Sequence, residues 1–210
     1  MKNRIEKLKP LIDFNKDEFI VVRILQRKKD NPNLEYSVKQ LKTYSFYSWG
    51  ELESQINRIK EICDLNNARA YIRLNKQNSV DVSLRCIAEI SDNLRTGNSS
   101  RNKGIWDSVS GKDGSKDWWV IDFDKEHLEY NKNLILDFCN DLKLHYTERK
   151  IFSIEYCIAV NPTKSGVHLI CKPFDTRILD KYNKELSSKG IQTIQIQKDS
   201  NTILYIGNNN

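Results

Sequence analysis

The chain has 210 residues, is 39% hydrophobic and 30% charged, and carries a formal net charge of +6, which suits one globular domain or a domain with a small appendage and excludes a disordered polymer. No apolar stretch reaches the roughly 18 residues of a membrane span, and MKNRIEKLKP lacks the apolar centre of a signal peptide, so a cytoplasmic protein without a membrane partner is expected. The five cysteines, Cys63, Cys86, Cys139, Cys157 and Cys171, are odd in number and scattered without metal-ligand spacing, and so read as reduced thiols rather than a disulfide framework.

The basic excess is spread along the chain. Lys2, Arg4, Lys7 and Lys9 open it, and Arg27, Lys28 and Lys29 form a second cluster, a surface that favours polyanions such as nucleic acid. Between them the β-branched run FIVVRILQRKKD, closed by Asn31-Pro32-Asn33, predicts a strand and a turn, with a short extended piece after it. In SWGE, Ser48 stands three residues before Glu51, and Trp49, Leu52, Ile56, Ile59 and Cys63 recur at helical spacing, which predicts a capping box and an amphipathic helix. ARAYIRLN then supplies a strand from about Ala70 to Leu74. Val80, Leu84, Ile87, Ile90 and Leu94 mark a second helix that ends before Gly97.

From Gly97 to Asp117 the chain is polar and carries Gly104, Gly111 and Gly114, so a long loop is expected, of the kind that often serves function. WWVIDFD, Trp118 to Asp124, is the strongest strand signal, and Leu134, Ile135, Phe138, Cys139 and Leu142 mark the helix behind it. A strand at Ser153 to Val160, a turn from Asn161 to Gly166 and a returning strand at Val167 to Cys171 predict a hairpin. Asp175 caps a helix bearing Ile178, Leu179, Tyr182 and Leu186, which Gly190 ends, and IQTIQIQKDSNTILYIG reads as β. The fold class expected from this order is α+β, a mixed sheet flanked by helices. The expected division is an N-terminal segment, 1–66, packed on a core at 67–210.

Side chains alternate faces along a strand, so Asp122 and Asp124 project from one side and Trp119, Ile121 and Phe123 from the other. Two adjacent carboxylates repel unless a cation neutralises them, and Mg²⁺ or Mn²⁺ is the natural cation for oxygen ligands. The simpler reading is that the pair ends a strand and caps the next helix. In NPTKSGVHLICKPFD, Lys164, Ser165 and the amide of Gly166 make a donor-rich turn suited to phosphate oxygens. His168 lies two residues further along the same strand face, pointing toward whatever the turn holds. His127 and His145 have no such companions and read as surface residues.

An apolar strand ending in DxD, followed by a turn with Ser-Gly-x-His, resembles the archaeo-eukaryotic primase superfamily in its small phage-encoded branch. ARAYIRLN and IWDSVSGK, Ile105 to Lys112, also look like parts of such proteins, so the similarity runs from about Ala68 to Tyr205. The resemblance implies an RRM-like primase-polymerase core with Asp122 and Asp124 as metal ligands. It also implies His168 on the phosphates of the incoming nucleotide, and a third acidic ligand on a later strand. The function implied is metal-dependent nucleotidyl transfer on DNA or RNA from nucleoside triphosphates, with any helicase or other replication partner on a separate chain. Lys164, Ser165, Gly166, Arg73 and Lys198 are the further phosphate-binding candidates.

One position departs from that pattern. Where the third acid is expected, the inward strand position is occupied by Gln195 or Gln197, and the nearest carboxylate is Asp199 at the turn. An amide brings no charge to Mg²⁺. Either Asp199 serves with shifted geometry, or the chain is a non-catalytic nucleotide or nucleic-acid-binding module. Two acids and a histidine also suit a metal-dependent nuclease.

Overall fold

The computed structural model describes residues 1–110, 114–148 and 157–207. Gly111 and Lys112, the expected start of a strand at Ser153, and the terminal Asn208–Asn210 lie outside the described residues, as does the side chain of His145. The chain divides into two units, Met1–Ser115 with Ile203–Asn210, and Lys116–Thr202. The division thus falls inside the segment that the sequence reads as one core, and residues 1–66 share a sheet with those that follow.

The first unit contains α1 (Lys2–Leu8), β1 (Glu18–Arg27), β2 (Val38–Phe46), α2 (Trp49–Ser54), α3 (Ile56–Leu65), β3 (Arg69–Asn78), α4 (Ser79–Arg95) and α5 (Ile105–Val109). The second holds β4 (Trp119–Asp124), α6 (Lys125–Tyr130), α7 (Leu134–Glu148), β5 (Cys157–Pro162), β6 (Gly166–Cys171), α8 (Arg177–Ser188) and β7 (Gln195–Gln197). The boundary falls within β8 (Asn201–Ile206), whose residues from Ile203 onward belong to the first unit. Two four-stranded sheets result, in the orders β2-β1-β3-β8 and β5-β6-β4-β7. β1 pairs antiparallel with β2 and β3, and β6 and β7 pair antiparallel with β4. The fold is therefore α+β, with two antiparallel sheets in place of the expected single mixed one.

In the first unit, β1 and β3 are antiparallel neighbours that carry an aliphatic face of Val22, Ile24, Ala70 and Ile72, each 0% exposed. The opposite face is polar along β3, where Arg69, Arg73, Asn75 and Gln77 are buried. Arg69 there makes a 2.6 Å ion pair with Asp30, both side chains being nearly excluded from solvent. Ser48 caps α2 as expected by accepting from the Glu51 amide at 3.2 Å. The Glu51 carboxylate reaches back one residue further than a capping box requires, to the Tyr47 amide at 2.7 Å. Helix α4 differs from expectation in the face it buries. Val82 and Cys86 pack with Phe19, Val21 and Val109, while Val80, Leu84, Ile87 and Leu94, which mark the helical period, are 51 to 63% exposed. The expected loop from Gly97 is broken by a short 3-10 turn at Ser99–Asn102 and by α5.

In the second unit Ile121 and Phe123 of β4 and Leu169 and Cys171 of β6 form one core with Phe138 and Leu142 of α7 and Leu179 and Leu186 of α8. Phe138 makes edge-on ring contacts with Phe123, Phe174 and Tyr182 at 5.5 to 6.0 Å. Aromatic pairs in that geometry add about 1 kcal/mol each beyond area burial. Helices α7 and α8 thus bury one face of the sheet. The alternate residues of β4 and β6 belong to the other face.

Candidate functional site

Period-2 alternation places Asp122 and Asp124 on the face of β4 opposite the core. Register then completes a row. His168 of β6 stands directly opposite Asp122 on one side, Gln195 of β7 on the other, and Asn161 of β5 stands opposite His168. Directly opposed residues share a face, so Asn161, His168, Asp122 and Gln195 run across all four strands of the sheet. Asp124 sits one row further along, opposite Gly166.

His168 is held from behind. Its Nδ1 lies 3.0 Å from Thr202 Oγ1, and Asn161 Nδ2 donates to the same oxygen at 2.8 Å. The ring's Nε2 lies 3.6 Å from Asp122 Oδ1. This is ion-pair range and too long for a good hydrogen bond. The His168 side chain is 4% exposed and that of Asp122 is 30% exposed, so the carboxylate is the solvent-facing member of the pair.

Asp124 does what the simpler reading requires. It is the N-cap of α6, where its side chain accepts from the His127 amide and His127 Nδ1 accepts from the Asp124 amide at 2.9 Å. His127 Nε2 contacts the Gln192 carbonyl at 2.7 Å. His127 is 1% exposed, so its surface assignment is corrected: it serves as the capping-box partner that Glu or Gln fills elsewhere. A carboxylate has two oxygens, so capping leaves Asp124 able to accept a second group on the Asp122 side.

The turn after β5 is closed by the Thr163 amide donating to the Gly166 carbonyl at 2.9 Å, and Lys164 and Ser165 are exposed at its tip. Gly166 has a different purpose from ligand approach. A Cβ there would lie 2.1 Å from the Phe123 carbonyl oxygen, so the missing side chain admits β4 to β6.

Within the unit, Asp199 and Lys198 are not brought to this row. Register runs from Gln195 beside Asp122 to Gln197 beside Val120, and Asp199 follows in the turn to β8, carried away from the acidic pair. Lys198 Nζ lies 5.0 Å from the Trp119 ring centroid, against a side chain of the core face. Arg73 belongs to the other unit, is 5% exposed and donates to the Ser110 carbonyl at 3.3 Å. Among the described residues no group of three or more His, Cys, Asp or Glu side chains is disposed to hold a metal. Burial pushes the Cys171 and Cys63 thiols up to about 12, away from the thiolate form.

Asp122, Asp124 and His168, which the sequence singles out, stand on one sheet face, whereas their neighbours Asn161 and Thr202 were not singled out. Asn161 was accessible by counting outward from the turn, because a closed hairpin fixes which residue faces His168. Thr202 carried no local signal.

Asp122 and Asp124 supply two carboxylates on one strand face, the donor type that hard divalent cations take. No helix among the described residues is long and apolar enough to cross a membrane. A scan against family models, a search of curated proteins and a search of solved structures each return no match.

Proposed function

We propose that the Lys116–Thr202 unit is the nucleotide-handling centre of a primase-like nucleotidyltransferase that acts on DNA or RNA with nucleoside triphosphates. One observation carries the reading: Asp122 and Asp124 share a face of β4, and His168, clamped by Thr202, stands directly opposite Asp122. Asp122 and Asp124 would hold Mg²⁺ or Mn²⁺, which when bound supplies Lewis-acid polarisation of the phosphoryl group. His168 presents Nε2 beside Asp122 as a donor to a phosphate oxygen. Exposed Lys164 and Ser165 add a charge and a hydroxyl at the end of the sheet where Asp124 lies.

A second reading, a non-catalytic nucleotide or nucleic-acid-binding module, is favoured by Gln195. It occupies the row position beside Asp122, and its amide donates to Thr193 Oγ1 at 3.0 Å. Incorporation of a labelled nucleotide on a primed template, with Mg²⁺ or Mn²⁺, separates the readings. Extension by the wild type that disappears in Asp122→Asn/Asp124→Asn supports the transferase. A mobility shift without extension, unimproved by Gln195→Asp, supports the binding module. Shortening of the primer indicates a nuclease.

A further inference from the structure

Among the described residues, α4 carries four exposed large aliphatic side chains in a stripe. Val80 is 51% exposed, Leu84 61%, Ile87 63% and Leu94 60%. Spacings of four, three and seven residues put all four on one line along the helix, the repeat that seats one helix against another. The helix does not need this face to stay in its unit, since Val82 and Cys86 on the opposite side bury it against β1 and α5. Four large aliphatic side chains held in water at that spacing mark an interaction surface.

We propose that α4 is a self-association surface through which two copies of this chain pair antiparallel about a two-fold axis at Ile87. Charge selects both the occupant and the direction. Asp81 lies in the first turn of α4 and Arg95 in the last, both on the same flank of the stripe. In an antiparallel pair centred on Ile87, Asp81 comes to Arg95 of the second copy, and symmetry makes the contact twice. A parallel pair forfeits these contacts and aligns the two helix dipoles, which is unfavourable. The apolar residues agree with that register. Val80 meets Leu94 of the second copy, Ile87 meets itself, and Leu84 meets Ser91, a small residue that leaves room for it. A stripe whose charges complement themselves under rotation favours a second copy over an unrelated partner. The exposed pair of Arg95 with Asp92, at 2.6 Å, is one that Asp81 of the second copy can join. A single helix pair makes a small interface, so the dimer is expected to be weak and concentration-dependent.

Sedimentation equilibrium on the full chain tests this over about 1 to 200 µM, a range that brackets micromolar association. The wild type should move from monomer to dimer mass across the series. Ile87→Asp should weaken association by about 100-fold or more, as expected for a charge placed at the centre of a seam. Asp81→Arg should weaken it, and Asp81→Arg/Arg95→Asp should restore it. These positions are exposed, and thermal melts by circular dichroism establish that each variant folds. A wild type that stays monomeric throughout, an Ile87→Asp variant that still dimerises, or a charge-swapped double variant no better than the single one would each overturn the proposal.

Discussion

His168 owes its disposition to residues that touch no solvent. Thr202 is 0% exposed and Asn161 3%, and Thr202 Oγ1 is the contact that both His168 Nδ1 and the Asn161 amide make. Thr202→Val keeps the shape of the side chain but leaves the Asn161 amide and His168 Nδ1 without their shared partner. Each buried hydrogen bond lost costs about 0.5–1.5 kcal/mol, so destabilisation of about 1–3 kcal/mol is expected by denaturant unfolding. The same change should alter the ¹⁵N shifts of His168, whereas Thr202→Ser should leave them in place. Unchanged shifts in the valine variant would show that Thr202 does not set the ring.

Among the elements, β4 and the β5–β6 hairpin were legible because their signals are local: a dense apolar run with alternating acids, and a turn with Pro162 and Gly166 between two β-rich stretches. The capping box of α6 was not read, because its third position is His127 where Glu or Gln is the usual sign. Helix α4 was located correctly but its buried face was not, since a period of 3.6 identifies an amphipathic helix without saying which of two apolar sides is inside. Short elements such as α5 span too few residues to show a period at all. The row across the second sheet required long-range register, which brings Gln195 and Thr202 to residues far away in sequence. Gly166 tests how closely β4 and β6 are fitted. Its added methyl in Gly166→Ala meets the Phe123 carbonyl oxygen at 2.1 Å, so the strands must part. Overpacking of this kind costs about 1–3 kcal/mol, and thermal melting should show it. A variant as stable as the wild type would mean that the strands adjust freely.

At the scale of the whole molecule, the two antiparallel sheets dispose their polar residues differently. The first unit buries much of its polar inventory within itself, as in the Arg69–Asp30 pair, while the second commits one sheet face to the core and leaves the other its acidic pair. A formal net charge of +6 suits the polyanion that the proposed reaction requires, but charge alone does not place a catalytic centre. The central claim rests on Asp122 and Asp124 as a divalent-cation site. Calorimetric titration with Mn²⁺, in the presence of a non-hydrolysable nucleoside triphosphate analogue, tests it most directly. Asp122→Asn/Asp124→Asn should fold as the wild type does, because asparagine caps a helix as well as aspartate and like-charge repulsion is removed. The expected result is saturable Mn²⁺ binding by the wild type that is lost in the double variant. Undiminished affinity in the double variant, or no binding by the wild type, would contradict the account.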